Sequence, residues 1–254
     1  MRARSSPMPA PEDATMGAQS LELIHAAYPD WRRAHIKADF AIEHYIFARE
    51  CARLSLPTGA RILEVGFGEG LFLDWARDRG FDIEGIDISD AFVGAALARG
   101  HNARRGTLTD ESESDTPARR YDAIMCFDVL EHMTFDELIA FFAAARRRLA
   151  SKGVICARFP NGGSPFGRFN QNGDVTHRVA LTGLSVDQLA RTAGLGVNGV
   201  FNAVRVLNFK RPRTLVRCCV MSMIEYVLGR LYYGTRVPLD PNLVVHVRDL
   251  EPAP

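Results

Sequence analysis

Two textures of apolar and polar positions alternate along the chain. Short, nearly continuous apolar runs recur at 61–65, 81–87, 121–127 and 153–159, as expected of strands buried on both faces. Weaker runs at 102–106, 196–207 and 242–247 bring the predicted strands to seven. Between them the spacing turns helical, over 69–79, 91–98, 135–149 and 185–193, with Ser185 as the expected N-cap of the last. Strands alternating with helices predict an α/β fold: a doubly wound, mostly parallel seven-stranded sheet flanked by helices. A helical stretch from Trp31 to about Leu54 precedes the first strand and is broken by Pro57, Thr58 and Gly59. Residues 160–180 are rich in Gly, Asn and Pro and are expected to form a loop. The expected organisation is a flexible leader over 1–20, a helical cap over 21–56 and one large domain over 57–254. That domain carries a basic, apolar-helix insertion at about 208–235.

Composition narrows the classes. With 254 residues, 47% hydrophobic and 24% charged, the chain is long and apolar enough for a sizeable core. A net charge of +1 argues against a generic nucleic-acid binder. Cys51, Cys126, Cys156, Cys218 and Cys219 include no C-x-x-C pair. They are expected to be free thiols in a reducing cytosol, with no metal site. The first 20 residues lack an apolar h-region, and no uncharged apolar run reaches the length of about 18 residues that spans a bilayer.

The chemistry begins at Glu64-Val65-Gly66-Phe67-Gly68-Glu69-Gly70, a strand-to-helix turn whose glycines let a ligand approach backbone N–H groups. A dinucleotide-binding turn reads G-x-G-x-x-G and would need glycine where Leu71 stands. Glu64 would also repel a pyrophosphate, whereas it suits a cationic ligand, so a dehydrogenase is disfavoured. Asp87 ends the second strand, 21 residues beyond Gly66, where a carboxylate can accept both hydroxyls of a ribose. This combination resembles the class I S-adenosylmethionine-dependent methyltransferases, over roughly residues 58–160. The resemblance implies that Gly66, Gly68 and Gly70 meet the methionine part of S-adenosyl-L-methionine, with Glu64 in the same cofactor-binding motif. It likewise implies that Asp87 holds the ribose and Ile88 lies on the adenine. Where the family often carries an acid after the third strand, this chain reads Gly106-Thr107-Leu108, leaving Thr107 or backbone groups as substitutes.

The run Phe127-Asp128-Val129-Leu130-Glu131-His132 resembles the fourth-strand exit of the branch containing ubiquinone-type and sugar O-methyltransferases. Phe127 and Asp128 should border the transferring methyl group. Asp128 and Glu131 have an alternative role in capping the next turn. His132 is either a general base or a packed structural residue. After the fifth strand, Pro160-Asn161 and then Asp174-Val175-Thr176-His177 resemble methyltransferases of bacterial polysaccharide clusters. Asp174 and His177 are candidates for activating a hydroxyl, against a purely loop-organising role. The N-terminal helix, with Trp31, His35, His44 and Tyr45, is expected to cap the cofactor cleft.

The implied activity is methyl transfer to a hydroxyl of a small-molecule or glycan-related acceptor, with an anionic or lipid-linked one among the options. Alternatives are N-methylation of an amino sugar, or a catalytically silent cofactor-binding protein of the same fold. No N/D-P-P-Y/W run follows the fourth strand, so no nucleic-acid acceptor is expected.

The near-neutral total hides an asymmetry. Residues 158–224 carry nine basic residues against Asp174 and Asp187, a balance of +7. The apolar helix expected over 213–233 has three readings. It covers the sheet edge or forms a homodimer contact; it lies peripherally on an anionic membrane through 208–233; or its arginines hold a phosphorylated sugar. The expected location is the cytoplasm, with or without attachment to the inner membrane surface.

Overall fold

Four of the five residues of strand β1, Arg61–Val65, are buried, because strands flank it on both edges. In this computed structural model the described residues are 39–110, 119–206 and 212–250, with isolated positions between 23 and 34. The chain divides into two units, Met1–Lys37 and Ala38–Pro254, and the sheet belongs to the second. The boundary falls inside the helical cap expected over 21–56. Trp31, His35 and the leader lie outside the described residues.

The other strands are β2 (Asp82–Asp87), β3 (Asn102–Arg105), β4 (Tyr121–Phe127), β5 (Leu149–Pro160), β6 (Leu195–Asn202) and β7 (Asn242–Asp249). They form one seven-stranded sheet in the order β3-β2-β1-β4-β5-β7-β6. The pairings among β1 to β5 are parallel, and β7 runs antiparallel to both its neighbours. The order reverses between β1 and β4, so the loops leaving their C-terminal ends diverge and open a crevice there.

Helices cover both faces: α1 (Phe40–Ala52), α2 (Leu71–Asp78), α3 (Asp90–Ala98), α4 (Phe135–Arg148), a short α5 (Arg168–Asn172), α6 (Gly183–Arg191) and α7 (Pro212–Tyr233). β4 shows the two-residue period. Ala123, Met125 and Phe127 pack with Phe47 of α1 and Phe72 and Trp75 of α2, while Ile124 and Cys126 pack with Leu138, Phe141 and Phe142 of α4. All five cysteines are free, four of them buried.

Several boundaries differ from expectation, each for a local reason. α1 begins at Phe40, where Asp39 accepts the backbone N–H groups of Ala41 and Ile42. α6 begins at Gly183 with Thr182 as N-cap, and Ser185 is the reciprocal partner of a capping box. Leu181 is held in a bridge to Asn161, which keeps the chain extended up to Thr182. β6 stops at Asn202, which turns its side chain to Glu225. The 160–180 segment is not all loop, since it contains α5.

Helix α7 speaks against one of the readings left open for it, that its apolar residues cover the sheet edge. Only Cys218 among its apolar residues is buried, while Val216, Met223, Val227 and Leu231 are more than half exposed. It therefore does not seal the sheet edge with an apolar face. A polar cluster holds it instead: Arg205 pairs with Glu225 and Asp240 and donates to Ser222, while Glu225 also accepts from Leu239 N–H. Much of the basic excess is likewise neutralised inside the fold. Arg158 pairs with Asp128, Arg178 with Glu137, Arg191 with Asp187 and Arg205 with Glu225 and Asp240. Lys210 and Arg211 lie outside the described residues.

Candidate active site

The crevice at the switch point is walled first by the glycine turn between β1 and α2. Gly66, Gly68 and Gly70 all adopt left-handed backbone, with φ of 70°, 53° and 74°, which L side chains adopt only at a cost. A Cβ on Gly66 would stand 2.5 Å from Val129 Cγ2, whereas one on Gly68 would meet nothing within 4 Å. Gly66 therefore lets the turn close on the exit of β4, and Gly68 leaves an open cradle. Asp87 fixes the turn: its carboxylate accepts from Gly68 N–H at 2.9 Å and Ser89 N–H at 2.8 Å.

Glu64 is buried in β1, and its Oε2 has no hydrogen-bond partner in the structure. Burial, and then the nearby Asp87 charge, push its carboxyl well above the ordinary range, with Arg158 opposing. A buried acid of this kind is complementary to a ligand that brings positive charge. Ile88 stands half exposed beside Asp87. Gly106 N–H donates to the Asp87 carbonyl, which sets Thr107 next to this end of β2. Thr107 is itself engaged with Asp110 and Thr109. An orphaned buried carboxylate, an open glycine cradle and an acid at the ribose position together fit S-adenosylmethionine.

The exit of β4 forms the second wall. Asp128 has φ of 58°, a strained value for a non-glycine residue. It is held there by its N–H to the Arg158 carbonyl and by a two-pronged pair with the Arg158 guanidinium. Arg158, from the neighbouring β5, was not singled out in the sequence, because only strand pairing places it opposite Asp128. Its guanidinium also lies over the Phe127 ring at 5.1 Å. Phe127 itself turns into the aromatic cluster with Phe47 and Phe72. Phe47 of α1 stacks on the Phe127 ring, so α1, which also carries His44 and Tyr45, packs against this end of β4.

The third wall is the loop after β5, tied to the β4 exit by Arg178 and Val179 N–H groups on the Glu131 carbonyl. It brings His132 and His177 together, with ring centroids 4.8 Å apart. Asp174 does not meet His132 directly. Its Oδ1 accepts the backbone N–H and hydroxyl of Thr176, whose oxygen lies 2.8 Å from His132 Nδ1. These bonds hold the Asp174 carboxyl low even though burial acts the other way. With the hydroxyl proton given to Asp174, Thr176 can only accept from His132, so Nδ1 carries the ring proton and Nε2 the lone pair. Burial, then His177, lowers the His132 pKa, favouring that neutral ring. His177 Nδ1 lies 2.9 Å from the Gln171 carbonyl, which can only accept, so its lone pair is also on Nε2. Nε2 of His177 is 3.8 Å from Oε1 of Glu131.

Sequence reasoning gave Glu131 no more than a capping role. It is in fact almost fully buried, and neither of its carboxylate oxygens has a hydrogen-bond partner in the structure. Burial, reinforced by Asp128, raises its pKa well above the carboxylate range. The loop-organising role weighed for Asp174 is what the geometry shows, with Thr176 as the link by which it orients His132.

Residues 40–219 match a family described as a methyltransferase domain. The chain belongs to that family, and its sheet order, glycine turn and ribose-side acid are those of the S-adenosylmethionine-dependent methyltransferases. Among curated proteins, it is 26% identical over 206 residues to a ubiquinone biosynthesis O-methyltransferase of Azoarcus sp., covering 76% of this chain and 79% of that one. A protein of the same name from Alkalilimnicola ehrlichii is 38% identical over 96 residues. That match covers 35% of this chain and spans only 37% of the relative. The fold is similar to a crystal structure of a SAM-dependent methyltransferase from Archaeoglobus fulgidus. The TM-score is 0.62 at 16% identity, covering 87% of this chain and 98% of that chain.

Proposed function

We propose that this chain methylates a hydroxyl of a small or glycan-related acceptor, one that carries or sits near lipid. The observation that carries the reading is the convergence of Glu131, His132 and His177 beside the cofactor crevice, with both ring lone pairs directed to Nε2 by Thr176 and Gln171. An alcohol oxygen is a poor nucleophile until its proton is drawn away, and such a group is built to draw it. The curated relatives named above are O-methyltransferases of ubiquinone biosynthesis, which agrees with a hydroxyl acceptor.

When bound, S-adenosylmethionine supplies the methyl group on a sulfonium, from which a neutral thioether departs with the C–S electron pair. The chain's own residues do the rest. Gly66, Gly68 and Gly70 receive the methionine part along their exposed backbone, and Glu64 faces its positive charge. Asp87 orients the ribose, Ile88 offers an apolar surface to the adenine, and Thr107 closes that end. The histidine group takes the hydroxyl proton as the new O–C bond forms. Asp174, through Thr176, positions His132 for this step. In-line positioning of donor and acceptor supplies most of the acceleration, up to roughly 7–11 kcal/mol, and proton removal adds about 10²–10⁴-fold.

The test is a methyl-release assay across lipid-linked glycans, nucleotide sugars and quinone precursors, with His132→Ala and His177→Ala. At least one hydroxyl acceptor should turn over, and at least one histidine variant should lose about 10²-fold or more of the rate. Undiminished turnover in both variants would overturn the hydroxyl reading and favour an amine acceptor, which needs no base.

A second proposal concerns place. The exposed apolar residues of α7, with Arg213 and Arg217 on the same helix, are proposed to rest on an anionic membrane surface. No helix among the described residues is long and apolar enough to cross a membrane, so the contact is peripheral. An acceptor embedded in lipid would meet the enzyme there.

A further inference from the structure

We infer that the cavity between helix α7 and the exit of β6 is a subsite for a phosphate ester on the acceptor, held by the guanidinium groups of Arg53 and Arg236. The cavity measures about 520 Å³, an ordinary size for a small-ligand pocket. Its lining includes Arg53, Phe201, Arg205, Ser222, Tyr226 and Arg236. It stays open because the side of α7 turned to the sheet carries small and polar residues. Cys218 and Gly229 are buried there, and Ser222 and Glu225 meet Arg205, a helical spacing with no bulky apolar side chain to fill the gap.

The hydrogen-bonding capacity left over in this cavity is of one kind. The carboxylates at its rim are fully engaged. Glu225 accepts from Asn202, Leu239 N–H and Arg205, both oxygens of Asp240 accept from Arg205, and Glu50 accepts from Arg53 and Val204 N–H. The donors are not used up. Arg53 gives only Nη1, to Glu50 and to the Asn202 carbonyl, among the described residues. Arg236 has no hydrogen bond or ion pair among the described residues, and its guanidinium lies 5.6 Å from the centre of the Tyr226 ring. That of Arg53 lies 5.1 Å from the centre of the Phe201 ring. Stacking of this kind steadies the guanidinium plane and leaves its N–H edge free. Spent acceptors beside unspent, charged donors call for an oxygen-rich anion. A carboxylate matches a single guanidinium fork, whereas a phosphate ester has enough free oxygens to accept from two.

The position suits an acceptor that reaches the methyl group. Because β7 is antiparallel to both β5 and β6, β6 runs parallel to β5 and its exit opens on the same edge of the sheet as the cofactor crevice. Phe201 and Ala203 pack with Phe47 and Phe127, next to the β4 exit. The segment carrying Arg236 is fastened to the loop after β5, since Asn161 donates to the Pro238 carbonyl and Ser164 to the Leu239 carbonyl. This inference deepens the proposed acceptor and its role rests on that reading: the subsite anchors the acceptor and takes no part in the transfer itself. A phosphorylated sugar and a phosphate-linked lipid share the chemistry it recognises.

Binding is measurable without methyl transfer, which keeps the two readings separable. The full chain is titrated by calorimetry with glucose 1-phosphate as the soluble ester and with dihexanoylphosphatidic acid, kept below its micelle concentration, as the lipid one. Glucuronate serves as the carboxylate contrast. At least one phosphate ester should bind, about tenfold or more tighter than glucuronate, and the tighter of the two tells the soluble source from the lipid one. Arg236→Gln should weaken that binding by about tenfold or more, and Arg236→Lys by less, with S-adenosylmethionine binding unchanged in both. Arg53→Gln should weaken it likewise, and Arg236→Gln serves alone should Arg53→Gln fail to fold once Glu50 loses its partner. In methyl transfer to a phosphorylated acceptor, Arg236→Gln should raise KM and leave kcat unchanged. No binding of either ester to the parent chain, glucuronate bound as tightly, or undiminished binding in Arg236→Gln overturns the subsite and leaves hydroxyl methylation standing. Binding as expected with no hydroxyl acceptor turned over supports the subsite and removes only the reading of the reaction.

Discussion

Single residues in this site differ in whether their role belongs to the fold or to a ligand, and the glycine turn separates the two. Gly66→Ala would drive a methyl group into Val129, disturbing the fold and the crevice together. Gly68→Ala meets no protein atom within 4 Å, so its structural cost is the left-handed backbone alone, roughly 1–2 kcal/mol. The added methyl group nevertheless enters the space assigned to the cofactor. Gly68→Ala should therefore fold with a modestly lowered Tm yet bind S-adenosylmethionine at least tenfold more weakly by calorimetry. Binding equal to the parent would remove Gly68 from the cofactor site. At this scale the sequence was most informative where a motif carried its own geometry, as in Glu64–Gly70 with Asp87. It was least informative for Glu131 and Arg158, whose meaning comes from partners supplied by another loop or strand.

At the scale of elements, two buried polar features place conditions on stability. His246 lies in β7 opposite Cys156 of β5, with the Phe201 ring 4.8 Å away. Burial, then the charges of Arg53 and Arg248, lowers its pKa to about 4. The unfolded chain, with an ordinary histidine pKa of about 6.5, binds the proton first. Stability is therefore complete above about pH 6.5 and falls as the pH drops toward 4, by about 3 kcal/mol. His246→Leu should flatten that limb in urea unfolding measured between pH 7 and 4. An unchanged slope would place the acid sensitivity elsewhere. Arg205 is the second feature, since its guanidinium pairs with both Glu225 of α7 and Asp240 before β7, beside the Asn202 side chain that also links the two. Arg205→Ala leaves two acids facing each other and should cost roughly 2–3 kcal/mol. That is less than a fully buried broken pair, because a fifth of the Arg205 side chain is exposed. Hydrogen exchange should accelerate in α7 first. Uniform acceleration across the sheet would show that Arg205 supports the whole fold instead.

For the molecule as a whole, the proposed membrane contact rests on the exposed apolar surface of α7 and the charge beside it. With α7 turned outward, the full chain should co-sediment with vesicles rich in phosphatidylglycerol at about 0.05 M salt and release substantially at about 0.5 M. Met223→Asp together with Leu231→Asp should abolish the attachment without altering S-adenosylmethionine binding. A salt-insensitive dimer that forms in place of vesicle binding would assign this face to a second copy of the chain. The sequence by itself determined the order of strands and helices, the mostly parallel sheet and the cofactor side of the site. Each of these follows from local patterning: apolar runs, glycines at a turn that needs left-handed backbone, and an acid at a strand end. Only the tertiary structure decided which side chains converge at the β4 exit and what the surface exposes. Residues 131, 132 and 177 converge because a loop returns to the β4 exit. Arg158 meets Asp128 because β5 pairs with β4, and the apolar side of α7 is exposed because a polar cluster, not an apolar face, holds that helix to the sheet. Long-range pairing of this kind has no period in the sequence, and so it becomes visible only once the chain has folded.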